Sequence, residues 1–191
     1  MLVAQPIFVI SGPSGVGKGT VIEDLLKALT QLQLTVSATT RKSRPQEVDG
    51  QHYYFMDEDR FKRLIHEQQF VEWATVHGQY YGTLRREVDE KQKQGPVLIE
   101  IDVQGAQSIR ASGLRHNSIF LMPPDEATLV ERLRKRHTES EAEMARRLRQ
   151  AREEMATAGQ YDHVVVNDKL AETVEKIKTI IEKQIQKGVA Q

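Results

Sequence analysis

Short apolar runs alternate along this chain with longer stretches in which apolar residues recur every three or four positions. Ile7-Phe8-Val9-Ile10 is the first such run and reads as a buried strand. From Val21 the period changes. Val21, Ile22, Leu25, Leu26, Leu29 and Leu32 fall three or four apart, which predicts a helix with one buried stripe. Leu34-Thr35-Val36-Ser37 reads as a second strand, followed by a polar turn over 39–50 and the β-prone run Tyr53-Tyr54-Phe55. Asp57 is placed to start a short helix with Phe61, Leu64 and Ile65 on one face. Strands at 70–74 and 79–82 flank a turn at Gly78, so 37–83 reads as a small β-rich insertion.

Alternation then resumes. A polar helix over 85–94 precedes Val97-Leu98-Ile99-Glu100-Ile101-Asp102, a buried strand ending in acid. Ile119-Phe120-Leu121-Met122 is a further strand, stopped by Pro123-Pro124. Helices are expected over 125–135 and 140–158. Ser140 with Glu143 supplies a capping box for the second, and Met144, Leu148, Ala151 and Met155 give it an apolar stripe. Val164-Val165-Val166 is the last strand. A closing helix carries Leu170, Val174, Ile177, Ile181 and Ile185 on its inner face. Strands alternating with helices predict an α/β fold with a mostly parallel central sheet, and ligands at the carboxyl ends of its strands.

Composition changes this picture little. Lys plus Arg and Asp plus Glu both number 27 in 191 residues, so no net field favours nucleic acid or a membrane surface. Arginines are nevertheless clustered, at Arg41/Arg44, Arg132/Arg134/Arg136 and Arg146/Arg147/Arg149/Arg152, which marks local anion sites on a neutral body. The absence of cysteine excludes disulfides and thiolate metal sites and fits a reducing compartment. No segment has the roughly 20 apolar residues of a membrane helix, and the first apolar run is too short for a signal peptide. The expected location is the cytosol.

The chemistry begins directly after the first strand, at Gly12-Pro13-Ser14-Gly15-Val16-Gly17-Lys18-Gly19-Thr20. A strand, a glycine-rich turn and a helix N-terminus make a phosphate-binding loop. Glycine admits positive φ, so successive N–H groups can converge on an anion, and Lys18 adds a positive charge for the β- and γ-phosphates. The spacing matches the Walker pattern except that Gly19 follows the lysine and the hydroxyl is displaced to Thr20. Further along, Arg41 and Arg44 lie three apart in the turn after Ser37. Two guanidinium forks beside hydroxyls suit a dianionic phosphate, and Tyr53, Tyr81 and Thr83 would complete such a clamp. The six histidines show no paired metal-ligand spacing, so no protein metal site is assigned.

Several motifs now fall into one order. Ser37-Ala38-Thr39-Thr40-Arg41-x-x-Arg44-Pro45, Glu47-Val48-Asp49-Gly50, His52-Tyr53-x-Phe55, Phe70-Val71-Glu72-Trp73-Ala74 and Tyr80-Tyr81-Gly82-Thr83 resemble guanylate kinases. So do Ile101-Asp102-x-Gln104-Gly105, Pro123-Pro124 and Val166-Asn167-Asp168. The resemblance runs from Gly12 to about Asp168. It implies a P-loop three-layer fold in a single domain: a core over 1–34, 84–125 and 159–191, a GMP-binding lobe over 35–83 and a helical lid over 126–158. It also implies that Ser37, Arg41, Arg44, Tyr53 and Tyr81 hold the GMP phosphate and that Glu72, Thr83 and Asp102 hold the guanine. An ionised carboxylate only accepts hydrogen bonds, and guanine offers adjacent N1–H and N2 donors where adenine does not.

The implied reaction is transfer of the ATP γ-phosphoryl group to GMP, and to dGMP beside it, with Mg²⁺ held mainly through phosphates and water. Lys18, Arg41 and Arg44 would neutralise the transferring group, with Arg136 and Arg147 on the lid, and Asn167 would lie near the adenine. Three residues depart from the family's common pattern: Gly19, Glu100 in place of Asp, and His137 in place of a lid glycine. Two other readings fit parts of the pattern. One is a non-catalytic guanylate-kinase-like module that binds phosphoproteins; the other is a kinase of a different phosphorylated acceptor. The retained Gly17-Lys18 and lid arginines favour catalysis, and Glu72 favours guanine.

Overall fold

The computed structural model describes residues 5–76, 78–134 and 141–189. Five parallel strands form the main sheet in the order β2-β7-β1-β8-β9, where β1 is Ile7–Ser11, β2 Gln33–Leu34, β7 Val97–Glu100, β8 Asn117–Met122 and β9 His163–Val166. Every residue of β1 is buried, as expected of a central parallel strand covered on both faces. Successive side chains leave it on opposite sides. Phe8 and Ile10 pack with Leu25 of α1 (Lys18–Ala28) and Ile177 and Ile181 of α7 (Leu170–Val189). Ile7 and Val9 pack with Val88 of α3 (Arg85–Gln92) and with Ala106 and Ile109 of α4 (Val103–Ser112).

The insertion is a second, mixed sheet in the order β4-β3-β6-β5, built from β3 Ala38–Thr39, β4 Tyr54–Phe55, β5 Phe70–Val76 and β6 Gln79–Leu84. Helix α2 (Glu58–His66) closes it, with Asp57 capping through a bond from the Arg60 N–H at 2.6 Å. Its core is small: Ala38, Phe61, Phe70 and Leu84, edged by half-buried Tyr54, Met56, Leu64, Ile65 and Tyr80. Helices α5 (Glu126–Arg134) and α6 (Glu141–Ala156) pack through Leu129, Leu133 and Ala151, with Met144, Leu148 and Met155 beside them. Among the described residues no helix is long and apolar enough to cross a membrane.

Two elements differ from the sequence reading. The run 34–37 is not one strand. Gln33–Leu34 pairs with β7 and the Thr35 N–H still reaches Leu98 O at 3.0 Å, but Ala38–Thr39 belongs to the second sheet. Residues 35–37 are the crossing between sheets, and the Val36 N–H bonds a side chain rather than a strand. The second difference is α4, for which the pattern gave no element. Its apolar stripe is only Val103, Ala106 and Ile109, interrupted by Gly105, and its start is set by Asp102 accepting from the Gly105 N–H at 2.8 Å. Ser140, half of the expected capping box, lies outside the described residues, as do Arg136 and His137.

Candidate active site

The glycine-rich loop connects β1 to α1, and Gly17 caps the helix at φ 99°, ψ 27°. That left-handed conformation favours glycine, and a Cβ there would stand 2.9 Å from Asn167 Nδ2. The loop is fixed through its carbonyls, from within and from outside. Gly12 O accepts from Lys18 Nζ at 2.7 Å, and Val16 O accepts from Asn167 Nδ2 at 2.8 Å and from Arg132 Nη1 at 3.1 Å. Arg132 also donates to Asn167 O, so it braces the loop against the end of β9. The start of α1 thereby offers amides and the positive end of a helix dipole to an anion.

Helix α6 meets this loop directly. Arg147 Nη2 donates to Ser14 Oγ at 2.9 Å, and Glu154 of the same helix accepts from Gln150 Nε2 at 2.8 Å. Glu100, at the end of β7, and Glu154 both feel Lys18. Burial raises the pKa of each acid, and the ammonium works against that rise.

The second sheet supplies the other wall. Glu72 on β5 is 4% exposed, and a register shift between Phe70 and Glu72 sets it opposite Thr83 on β6. Thr83 Oγ1 donates to Glu72 Oε1 at 2.7 Å. Burial pushes the Glu72 carboxyl from 4.5 to about 7; the Thr83 bond opposes this and the nearby Asp102 adds to it. Tyr53 and Tyr81 meet edge to face with ring centres 6.1 Å apart. Arg41 lies over the Tyr53 ring at 5.3 Å and forks onto Glu47 through bonds of 2.8 and 2.7 Å. This pairing holds Glu47 down at about 2 and raises the guanidinium above its ordinary value. With a third bond to Lys42 O, Arg41 has committed three of its five N–H donors to Glu47 and Lys42.

These walls enclose one cavity of about 590 Å³, lined by Lys18 on one side and by Ser37, Tyr53, Glu72, Tyr81 and Asp102 on the other. An ammonium at a phosphate loop and a buried, Thr-braced acid thus face the same space. The guanylate kinase family model matches residues 4–184. The chain belongs to the guanylate kinase family. It is 44% identical over 176 residues to a guanylate kinase from Caldanaerobacter subterraneus subsp. tengcongensis, covering 92% of this chain and 85% of that one. Against a guanylate kinase from Prochlorococcus marinus subsp. pastoris the identity is 45% over 178 residues, covering 93% and 97%. The crystal structure of guanylate kinase from Anaplasma phagocytophilum superposes with a TM-score of 0.76 at 33% identity, over 95% of this chain and 87% of that one.

The sequence-selected residues of this guanylate kinase family member do not all stand in the same relation to the cavity. Thr83 is fully buried behind Glu72 and does not line it. Arg41 sits at its edge through Tyr53, and Arg44 binds Glu47 through its backbone N–H at 2.7 Å. Asn167 is 6% exposed and spends an amide hydrogen on the loop. Arg147 is at the loop; Arg136 is outside the described residues.

Gly105 was visible in the sequence only as part of a motif. The structure gives it a physical reason: a Cβ there would stand 2.7 Å from Glu72 Oε2, 3.2 Å from Ile101 Cβ and 3.3 Å from Asp102 Oδ1. A side chain at this position would push the Glu72 carboxylate out of its place against the first turn of α4. Gly105→Ala is expected to raise the KM for GMP about tenfold, the cost of weakening one charged hydrogen bond, with the KM for ATP unchanged. Steady-state kinetics with each substrate varied in turn checks it.

Proposed function

We propose that this protein transfers the γ-phosphoryl group of ATP to the phosphate of GMP, giving ADP and GDP, with dGMP as a second acceptor. Family membership supports the reaction, and the observation that carries the assignment of residues is the shared cavity of Lys18 and Glu72. An oxygen of the GMP phosphate attacks the γ-phosphorus, and the bond to the β–γ bridging oxygen breaks to release ADP. The acceptor is largely ionised at neutral pH, its second pKa being about 6, so no general base is needed. Alignment and charge neutralisation are the demands of such a loose transition state.

Lys18 and the loop 12–20 take the triphosphate. Ser37, Arg41, Arg44, Tyr53 and Tyr81 take the acceptor phosphate, and Glu72, braced by Thr83, takes the guanine N1–H and N2 amino group with Asp102. Arg147 acts on the transferring group from α6, with Arg136, outside the described residues, as its expected companion, and Asn167 flanks the adenine end. Position 19 offers no hydroxyl, although a Cβ there would meet nothing within 4 Å. Thr20 would therefore contact a phosphate, and Mg²⁺ would be held mainly through the phosphates and water. The ion, when bound, screens charge on the triphosphate. A reaction on free nucleotides fits the cytoplasm.

The test is ADP formation from MgATP with GMP, dGMP, AMP or UMP as acceptor. Turnover with GMP about 10⁴-fold more efficient than with AMP is expected of a site built on paired donors. No turnover with GMP, or a preference for another acceptor, would overturn the proposal in favour of a phosphoprotein-binding module or a different kinase.

A further inference from the structure

Glu87 has no part in the reaction described above, yet it is a carboxylate only 8% exposed, in the first turn of α3. Both of its oxygens are used. Oε1 accepts from the Val36 N–H at 3.1 Å, and Oε2 accepts from the Tyr54 hydroxyl at 2.9 Å. A buried carboxylate is tolerated when its lone pairs are so occupied. The two partners are telling. Val36 lies on the crossing that carries the chain out of the main sheet, and Tyr54 lies on β4 of the second sheet. Their chain neighbours, Ser37 and Tyr53, both line the cavity. Arg86 stacks over the Tyr54 ring at 5.8 Å and steadies it from another side.

We propose that Glu87 is a positioning residue for the acceptor half of the site, a strut that fixes Ser37 and Tyr53, which the Tyr54 N–H bond to Ser37 O at 2.9 Å already ties together, relative to the core. The outgoing crossing has left its strand partners at Val36, so the Glu87 carboxylate does for that N–H what a neighbouring strand would otherwise do. The same group reaches across to β4. The acceptor-phosphate cradle is therefore gauged from the helix by which the chain returns to the core. A site residue held by such a support loses function when displaced by a fraction of an ångström. The inference rests on reading Ser37 and Tyr53 as contacts to the GMP phosphate.

Kinetics of three single variants and one double variant test it. Glu87→Ala should raise the KM for GMP about tenfold, while the KM for ATP stays within about twofold. Glu87→Gln should remain within about twofold of wild type for both, because its carbonyl can accept from Val36 and its amino group can donate to the Tyr54 oxygen. Tyr54→Phe should raise the GMP KM about threefold and add nothing in the Glu87→Ala background. If Glu87→Ala does not fold, the contrast between Glu87→Gln and Tyr54→Phe carries the test. A GMP KM unmoved by Glu87→Ala or Tyr54→Phe, or both KM values raised together in Glu87→Ala and Glu87→Gln alike, overturns the strut while leaving the function standing. Failure of the wild-type chain to phosphorylate GMP would instead overturn the reading of the cavity on which the strut depends.

Discussion

Lys18→Ala is expected to lower kcat for GMP-dependent ADP formation by about 10²–10³-fold, the usual cost of removing one preorganised charge from a transition state. The ammonium belongs to the first residue of α1 and is folded back onto Gly12 O at 2.7 Å and Pro13 O at 3.4 Å. It is thus held at the loop, and it also offsets two half-buried acids, Glu100 and Glu154. Without it those acids would leave net negative charge beside a polyanion. The KM for GMP should stay within about twofold, because the acceptor wall comes from the second sheet and is untouched. Lys18→Arg should restore little, since a planar fork does not replace a compact ammonium on a short reach. Stopped assays across GMP concentrations decide it; wild-type turnover in Lys18→Ala would remove this residue from the mechanism.

Glu72→Gln should collapse discrimination between GMP and AMP by about 10²-fold or more, because an amide places donors against the donors of guanine. The same substitution has a pH signature. The carboxyl titrates near 7 rather than 4.5, so in the wild type GMP binding weakens as pH falls below 7 and the acid takes up its proton. Glu72→Gln should lose that part of the profile and keep only the contribution of the phosphate itself, whose second pKa is about 6. Stability moves in the opposite sense. A folded-state pKa above the unfolded one means that the folded protein holds the proton more tightly. The two values coincide in effect below about 4.5; from there the ionised acid costs stability increasingly up to about 7, and by a constant amount above it. Glu72→Gln should therefore be more stable than wild type at pH 8, by up to about 3 kcal/mol, and nearly equal at pH 4. Urea unfolding at the two pH values measures this. An unchanged GMP/AMP ratio would remove Glu72 from base recognition.

Most of the α/β alternation was legible because its strands are continuous apolar runs and its long helices carry full stripes. Phe8 to Ile10, Val97 to Ile99 and the residues Val174, Ile177 and Ile181 are buried where their periodicity placed them. The crossing at 35–37 was illegible for a specific reason. Thr35 and Val36 are β-branched, and nothing local reveals that the N–H of Val36 is claimed by an acid 51 residues later. Helix α4 was hidden because its buried face is made of small residues and its cap, Asp102, had been read as the end of a strand. In the site, a chemical residue type at a motif position was enough to select Lys18, Glu72 and Arg147. What it missed were residues defined by their neighbours. Glu47 is a partner of Arg41, Gly105 is a space beside Glu72, and Glu87 is a link between two segments. Glu47 and Gly105 stand in motifs that attach no role to them, and Glu87 has no sequence signal apart from its contacts.

The second sheet has a hydrophobic cluster of only four buried residues of its own and shares Val71 with the core, whereas the main sheet is sandwiched between two much larger clusters. Resistance to opening scales with such burial, so the second sheet is expected to loosen at a lower temperature than the main one. On the proposed reading, warming then costs the protein its grip on the acceptor before its grip on the triphosphate, and hydrogen exchange followed sheet by sheet on heating measures the gap.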